Sequence, residues 1–131
     1  MHKPFLKTAF LLGALSVVLG AFGAHFLKDK LEPGLLNAYE TGVRYQFYHV
    51  FALMAVGILY ASFSSRLMKW AGYLFIVGII LFSGSLYLIC FINYEGIMGM
   101  KWIGAITPIG GVAFVLGWVA ALFAVSRQRS A

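Results

Sequence analysis

The chain has 131 residues, of which 62% are hydrophobic and 11% charged, whereas charged residues make up about a quarter of an ordinary soluble domain. This composition excludes a soluble domain and suits a membrane protein with room for four spans of about 20 residues each. Ten Lys and Arg against four Asp and Glu give a formal +6, but the basic residues stand at the ends of apolar runs, where they orient spans and meet anionic lipid; nucleic acid is not an expected partner.

The first span is read over residues 8–27, behind His2, Lys3 and Lys7, with His25 as its only ionisable side chain. A basic start, an apolar run and Ala21-Phe22-Gly23 as a small-x-small site also have the form of a secretory signal peptide, and a retained span is the expectation. Gly13, Ser16, Gly20 and Gly23 recur at intervals of three and four, so they form one helical stripe on which another helix can approach closely. His25 projects from roughly the opposite face.

Residues 28–44 are the longest polar connection, and Pro33 suits the first turn of a new helix. From there Leu35, Leu36, Tyr39, Val43, Phe47 and Val50 keep to one side and Asn37, Glu40, Thr41, Arg44 and Tyr48 to the other, an amphipathic period. The segment 33–44 either lies along the interface and bends at Gly42 or continues straight into the second span, read over residues 45–63. A short link through Arg66 and Lys69 leads to the third span, residues 70–92, in which Ala71, Gly78 and Ser85 repeat every seven residues as a seam for helix contact. Cys90, the single cysteine, lies inside this run, so no intrachain disulfide can form and the thiol reads as packing. The connection 93–101 precedes the fourth span, residues 102–125. Pro108 is expected to kink that span by freeing the carbonyl of Gly104, with Thr107 helping to satisfy it; beyond it, Gly110 and Gly117 belong to another small-residue face.

The amino end, the second loop and the carboxyl tail carry six Lys and Arg and the first and third loops four, which orients both termini to the cytoplasm. The densest polar stretch is Tyr39–His49. Glu40 and Arg44 stand four apart with the acid on the amino-terminal side, the favourable order for a helical ion pair. That pair reads as an interfacial anchor or as a site for an anionic headgroup, with Arg44 partly enclosed and therefore more important to stability than Lys69. His25 closes the first span and His49 opens the second, so antiparallel helices are expected to bring both rings to one membrane face, with Tyr45 and His49 sharing the helix face that meets His25. Two histidines with Glu40 nearby raise zinc or bis-histidine haem as an alternative. No His-Glu-x-x-His, Cys-x-x-Cys or nucleophile-elbow pattern is present, so no metal, cofactor or catalytic residue is assigned. No Asp or Glu falls within the four spans as drawn, which weighs against a proton-coupled exporter.

Four segments stand out together: Gly20-Ala21-Phe22-Gly23-Ala24-His25, Tyr39-Glu40-Thr41-Gly42-Val43-Arg44-Tyr45-Gln46-Phe47-Tyr48-His49, Leu81-Phe82-Ser83-Gly84-Ser85-Leu86-Tyr87 and Gly104-Ala105-Ile106-Thr107-Pro108-Ile109-Gly110-Gly111. In this order they resemble the domain of unknown function 423 family, small and mostly bacterial integral membrane proteins. The resemblance implies a four-span architecture and supplies no activity.

The expectation is thus an all-α membrane protein in a bacterial inner membrane: four antiparallel transmembrane helices with an amphipathic segment between the first and second. Its role is read as non-enzymatic assembly with itself or another membrane protein through the small-residue seams. The polar-site candidates are His25, Glu40, Arg44, Tyr45 and His49. The alternatives are an oligomeric channel or transporter for a small solute or ion, and haem or metal binding.

Overall fold

A computed structural model describes residues 1–97 and 101–127, and these are helical apart from short links. Met98 and Met100, within the connection read over 93–101, lie outside the described residues. Helix α1 spans Lys3–His25 with Pro4 in its first turn and His2 as N-cap, accepting from the Phe5 amide at 3.3 Å. Helix α2 runs without a break over Pro33–Leu59. Residues 33–44 therefore continue into the stretch that follows them, and Gly42 is no hinge. The Ser65 hydroxyl caps α3, Arg66–Gly78, accepting from the Met68 amide at 3.1 Å. A π-helical turn, Ile79–Ser83, joins α3 to α4, Gly84–Tyr94, making one rod from Arg66 to Tyr94. A 3-10 segment, Lys101–Ala105, leads into α5, Ile106–Arg127. Pro108 thus sits in the first turn of α5, where a missing N–H costs nothing. Thr107 and Pro108, read from the sequence as a kink, are the second and third residues of α5, directly after this change of helix type.

Three of these helices, Lys3–His25, Arg66–Tyr94 and Lys101–Arg127, are long and apolar enough to cross a membrane. Helix α2 has 27 residues, a length of about 40 Å, but its polar amino-terminal half sets it apart from the other three. Phe10, Leu11, Val17, Val18, Ile80 and Leu122 are among the large apolar side chains turned outward, as a lipid-facing surface requires. The chain is a helical membrane protein.

Neighbouring helices run antiparallel, and glycines set their register. A Cβ built on Gly13 would meet Val50, on Gly20 Val43, on Gly23 Tyr39 and on Gly57 Leu6, so residue numbers facing each other across α1 and α2 sum to 62 or 63. Across the rod and α5, a Cβ on Gly78 would lie 2.3 Å from Phe114, one on Gly117 2.7 Å from Phe75, and one on Gly110 2.3 Å from the backbone nitrogen of Phe82. No side chain fits at those positions without movement. The small residues read as seams for another molecule are therefore filled by this chain's own helices. The π turn adds a residue to the rod where Gly110 approaches Phe82, and it carries Ser83 to the α2 backbone.

Helix α2 packs against α1 on one side and the rod on the other, and α5 packs on the rod. The centre is closed by Phe5, Leu53, Met68, Phe75 and Phe114 in one apolar cluster. A second, smaller cluster of Leu31, Tyr39, Val43 and Cys90 fills the end near the first connection.

Candidate functional site

The polar residues of α2 point in two directions. On the inner side Gln46, 2% exposed, is turned to α1 and α4. Its Nε2 donates to the Leu12 carbonyl at 3.1 Å and its Oε1 accepts from the Tyr87 hydroxyl at 2.7 Å. The same carbonyl takes the Ser16 hydroxyl at 2.7 Å. Around this centre the Tyr39 hydroxyl donates to Leu19 O at 2.6 Å, Ser83 to Gly42 O at 2.6 Å, and Ser85 shares a 2.5 Å bond with Thr107. Cys90 donates to Leu35 O at 3.2 Å. These bonds tie α1, α2, the rod and α5 together, and among the described residues no buried side-chain nitrogen or oxygen lacks a partner. In hydrocarbon each such bond replaces an unmet polar group rather than a hydrated one.

His49 belongs to this inner side, 4% exposed. Its Nδ1 lies 2.7 Å from the Tyr45 carbonyl and its Nε2 takes the Trp118 indole N–H at 3.1 Å. A carbonyl only accepts and an indole only donates, so the ring is the neutral Nδ1–H tautomer with neither lone pair nor proton to spare. The ring also stacks on Phe114, with centroids 3.5 Å apart and planes at 7°. The α1–α2 register places His49 level with Ala14, eleven residues from His25, or about 16 Å along the helix axis. His25 is exposed. The two histidines do not share a membrane face, and Tyr45 and His49 face the rod and α5 rather than His25. Among the described residues no three His, Cys, Asp or Glu side chains come together.

Glu40 and Arg44 lie on the outer side, both exposed, bordering a hollow of about 290 Å³ floored by Gly20, Gly23, Tyr39 and Val43. Arg44 is not enclosed, so the reason given for ranking it above Lys69, which is also exposed, falls away. Because α2 is continuous from Pro33, Glu40 stands beside Gly23 and Arg44 beside Leu19 of α1. Glu40 is thus level with the last turn of α1, and it lies in none of the three helices that are long and apolar enough to cross a membrane. Tyr45 and Tyr48 line a separate groove of about 760 Å³ between α2 and α5, with His49, Phe82, Phe114 and Trp118.

Gln46, Tyr87 and Ser83 carry much of this network; they stand in the segments that mark the family resemblance but were not among the polar-site candidates, and Trp118 was not read at all. The signal for Gln46 was its spacing: it stands seven residues from Tyr39 and four from Val50, two residues on the apolar stripe, and therefore faces inward with them.

Many of these residues fall in a region shared with other proteins. The family described as "Protein of unknown function (DUF423)" matches residues 19–111. The chain belongs to this family. Similar proteins include a UPF0382 membrane protein of Staphylococcus saprophyticus, 42% identical over 87% of this chain and 92% of its own length. Another, from Bacillus subtilis, is 41% identical over 87% and 92%, and one from Haemophilus influenzae is 36% identical over 99% of both chains. These relatives are named as membrane proteins of bacteria, which agrees with the apolar helices seen here. No solved structure matches the chain. The match includes Tyr39, Gln46, His49, Ser83, Tyr87 and Thr107, as well as Glu40 and Arg44, while Trp118 lies beyond it.

Proposed function

We propose that this protein is a non-enzymatic assembly module that crosses the bacterial inner membrane four times, with both termini in the cytoplasm and a polar site on α2 for a membrane partner. The observation that carries this reading is the division of polar groups on α2. Those turned inward are bonded to other parts of the same chain, whereas Glu40 and Arg44 are turned outward. Inward groups of this kind fix helix register and leave no lone pair for chemistry. Outward charges on a membrane helix require something to meet them. Lipids surround the rest of the surface.

The haem or metal alternative loses its support, because His49 has both ring nitrogens engaged and His25 lies far along the bundle. The channel or transporter alternative has one observation in its favour, the carboxylate of Glu40 beside Gly23. Its route would have to run between copies, since an apolar cluster closes the centre of one chain. Purified protein in lipid vesicles tests the choice. An assembly module leaves ion and small-solute leakage at the level of empty vesicles, and flux that saturates with solute and is lost in Glu40→Gln would overturn the reading in favour of transport.

A further inference from the structure

The outward face of α2 carries Asn37, Glu40, Thr41, Arg44 and Tyr48, and the helix register says how deep it sits. Arg44 is level with Leu19, six residues from the end of α1 at His25, which places its Cα about 9 Å inside that end. The same level on the other side is set by Gly42 against Tyr87, which puts Arg44 near Ser85, ten residues or about 15 Å from Glu95. Glu40 is level with Gly23, two residues or about 3 Å from the end of α1, and on the other side near Ile89, six residues or about 9 Å from Glu95. A guanidinium rooted about 9–15 Å from the helix ends on a lipid-facing surface is costly unless its side chain reaches a partner, and Glu40 stands on the side toward which it leans. The bundle surface beside them is apolar, with Phe22 exposed near the same level.

We infer that this face of α2 is covered by a second copy of the same chain, with Arg44 of each copy paired to Glu40 of the other. Copies related by an axis along the membrane normal hold equivalent residues at equal depth, so the two α2 helices meet in parallel. A helical Cβ leans toward the amino terminus, which carries the Arg44 side chain toward the level of Glu40, about 6 Å above it. The face is therefore self-complementary: one acid and one base, with the base reaching to the level of the acid. The hollow over Gly20 and Gly23 gives the partner helix room beside the charges, and the Tyr48 hydroxyl and Asn37 amide extend the polar strip on either side. An anionic lipid headgroup fits less well, because Glu40 stands between Arg44 and the nearer end of the bundle and would repel its phosphate. The inference rests on the reading that α2 crosses the bilayer.

Energy transfer between full-length chains in vesicles of phosphatidylethanolamine and phosphatidylglycerol tests it. Chains are labelled at Ser64→Cys in a Cys90→Ser background that keeps a donor for Leu35 O. The wild-type face gives transfer that persists on dilution with lipid. Glu40→Arg and Arg44→Glu each weaken self-association about tenfold or more through like-charge contact, and mixing these two variants with each other restores it. A pair formed only within one chain would be mended by the double swap Glu40→Arg/Arg44→Glu and not by mixing, which overturns the inference. Transfer at the background level for the wild type overturns it as well; if stability then rises with phosphatidylglycerol content, the face serves lipid instead. Should the reversals fail to fold, Glu40→Gln and Arg44→Gln replace them, and unchanged transfer in both is contrary to the proposal. Failure of the underlying reading is separate and visible: impermeant reagents would then find Lys30→Cys and Ser64→Cys on one side of the membrane.

Discussion

Replacing Gln46 by leucine probes the inner network most sharply. The change keeps the bulk of a residue that is 2% exposed and removes both of its hydrogen bonds, one to Leu12 O and one from the Tyr87 hydroxyl. Leu12 O keeps the Ser16 hydroxyl, so its loss is mild. The Tyr87 hydroxyl is left facing an aliphatic side chain. A side-chain hydrogen bond in a membrane helix bundle is worth about 0.6 kcal/mol on average and up to about 1.7, and an unmet buried hydroxyl costs about 1–3 kcal/mol. Gln46→Leu should therefore lower stability by about 2–3 kcal/mol. Tyr87→Phe leaves Gln46 Oε1 unmet and should cost about 1–2 kcal/mol. Together the two changes remove both partners, and the pair should cost at least about 1 kcal/mol less than the sum of the singles. Denaturant titration in mixed micelles, followed by circular dichroism for all four corners of the cycle, measures this coupling. Additivity within about 0.5 kcal/mol would refute the claim that these groups satisfy one another.

Other expectations follow from single contacts. Gly110→Ala drives a methyl against the Phe82 backbone and should cost about 2 kcal/mol or more. Gly84→Ala meets open space in a helix and should stabilise by up to about 1 kcal/mol; a melting temperature that falls in both would contradict the register. Trp118→Phe removes the donor to His49 Nε2 while keeping the aromatic wall of the groove, and should cost about 1 kcal/mol in the same titration, with no change for Trp70→Phe. His2 is held below the usual histidine range by its partial burial first and by the Lys69 ammonium second. The unfolded chain then takes up a proton near pH 6.5 that the folded chain resists, so stability is flat above that value and falls as pH drops below it. Protonation also removes the acceptor that caps α1, and His2→Ala should flatten the acid limb of a melting-temperature profile.

Membrane character, helix polarity and the approximate place of each helix were legible because they rest on composition and on short links that force antiparallel neighbours. The small-residue positions were legible too, since period and size are local properties. Which molecule would fill them was not: Gly23 meets Tyr39 and Gly110 meets Phe82 only once the register is known, and register depends on all the contacts along two helices. The same missing register led His25 and His49 to be drawn to one end, where an offset of eleven residues separates them. Starting the second span at Tyr45 followed from hydropathy, which the charges of Glu40 and Arg44 depress. The backbone does not register that change and stays helical from Pro33. The π turn at Ile79–Ser83 leaves no mark in residue type, because an added residue in an apolar run changes no pattern that hydropathy can detect.

The depth of Glu40 and Arg44, and with it the proposed role, depends on α2 crossing the bilayer. Labelling single cysteines at Lys30 and Ser64, in the Cys90→Ser background, with an impermeant thiol reagent on intact cells tests this directly. A membrane-crossing α2 leaves Lys30→Cys reactive from outside and Ser64→Cys reactive only after the cells are opened. Reaction of both from the same side would place α2 along the membrane surface and contradict the account.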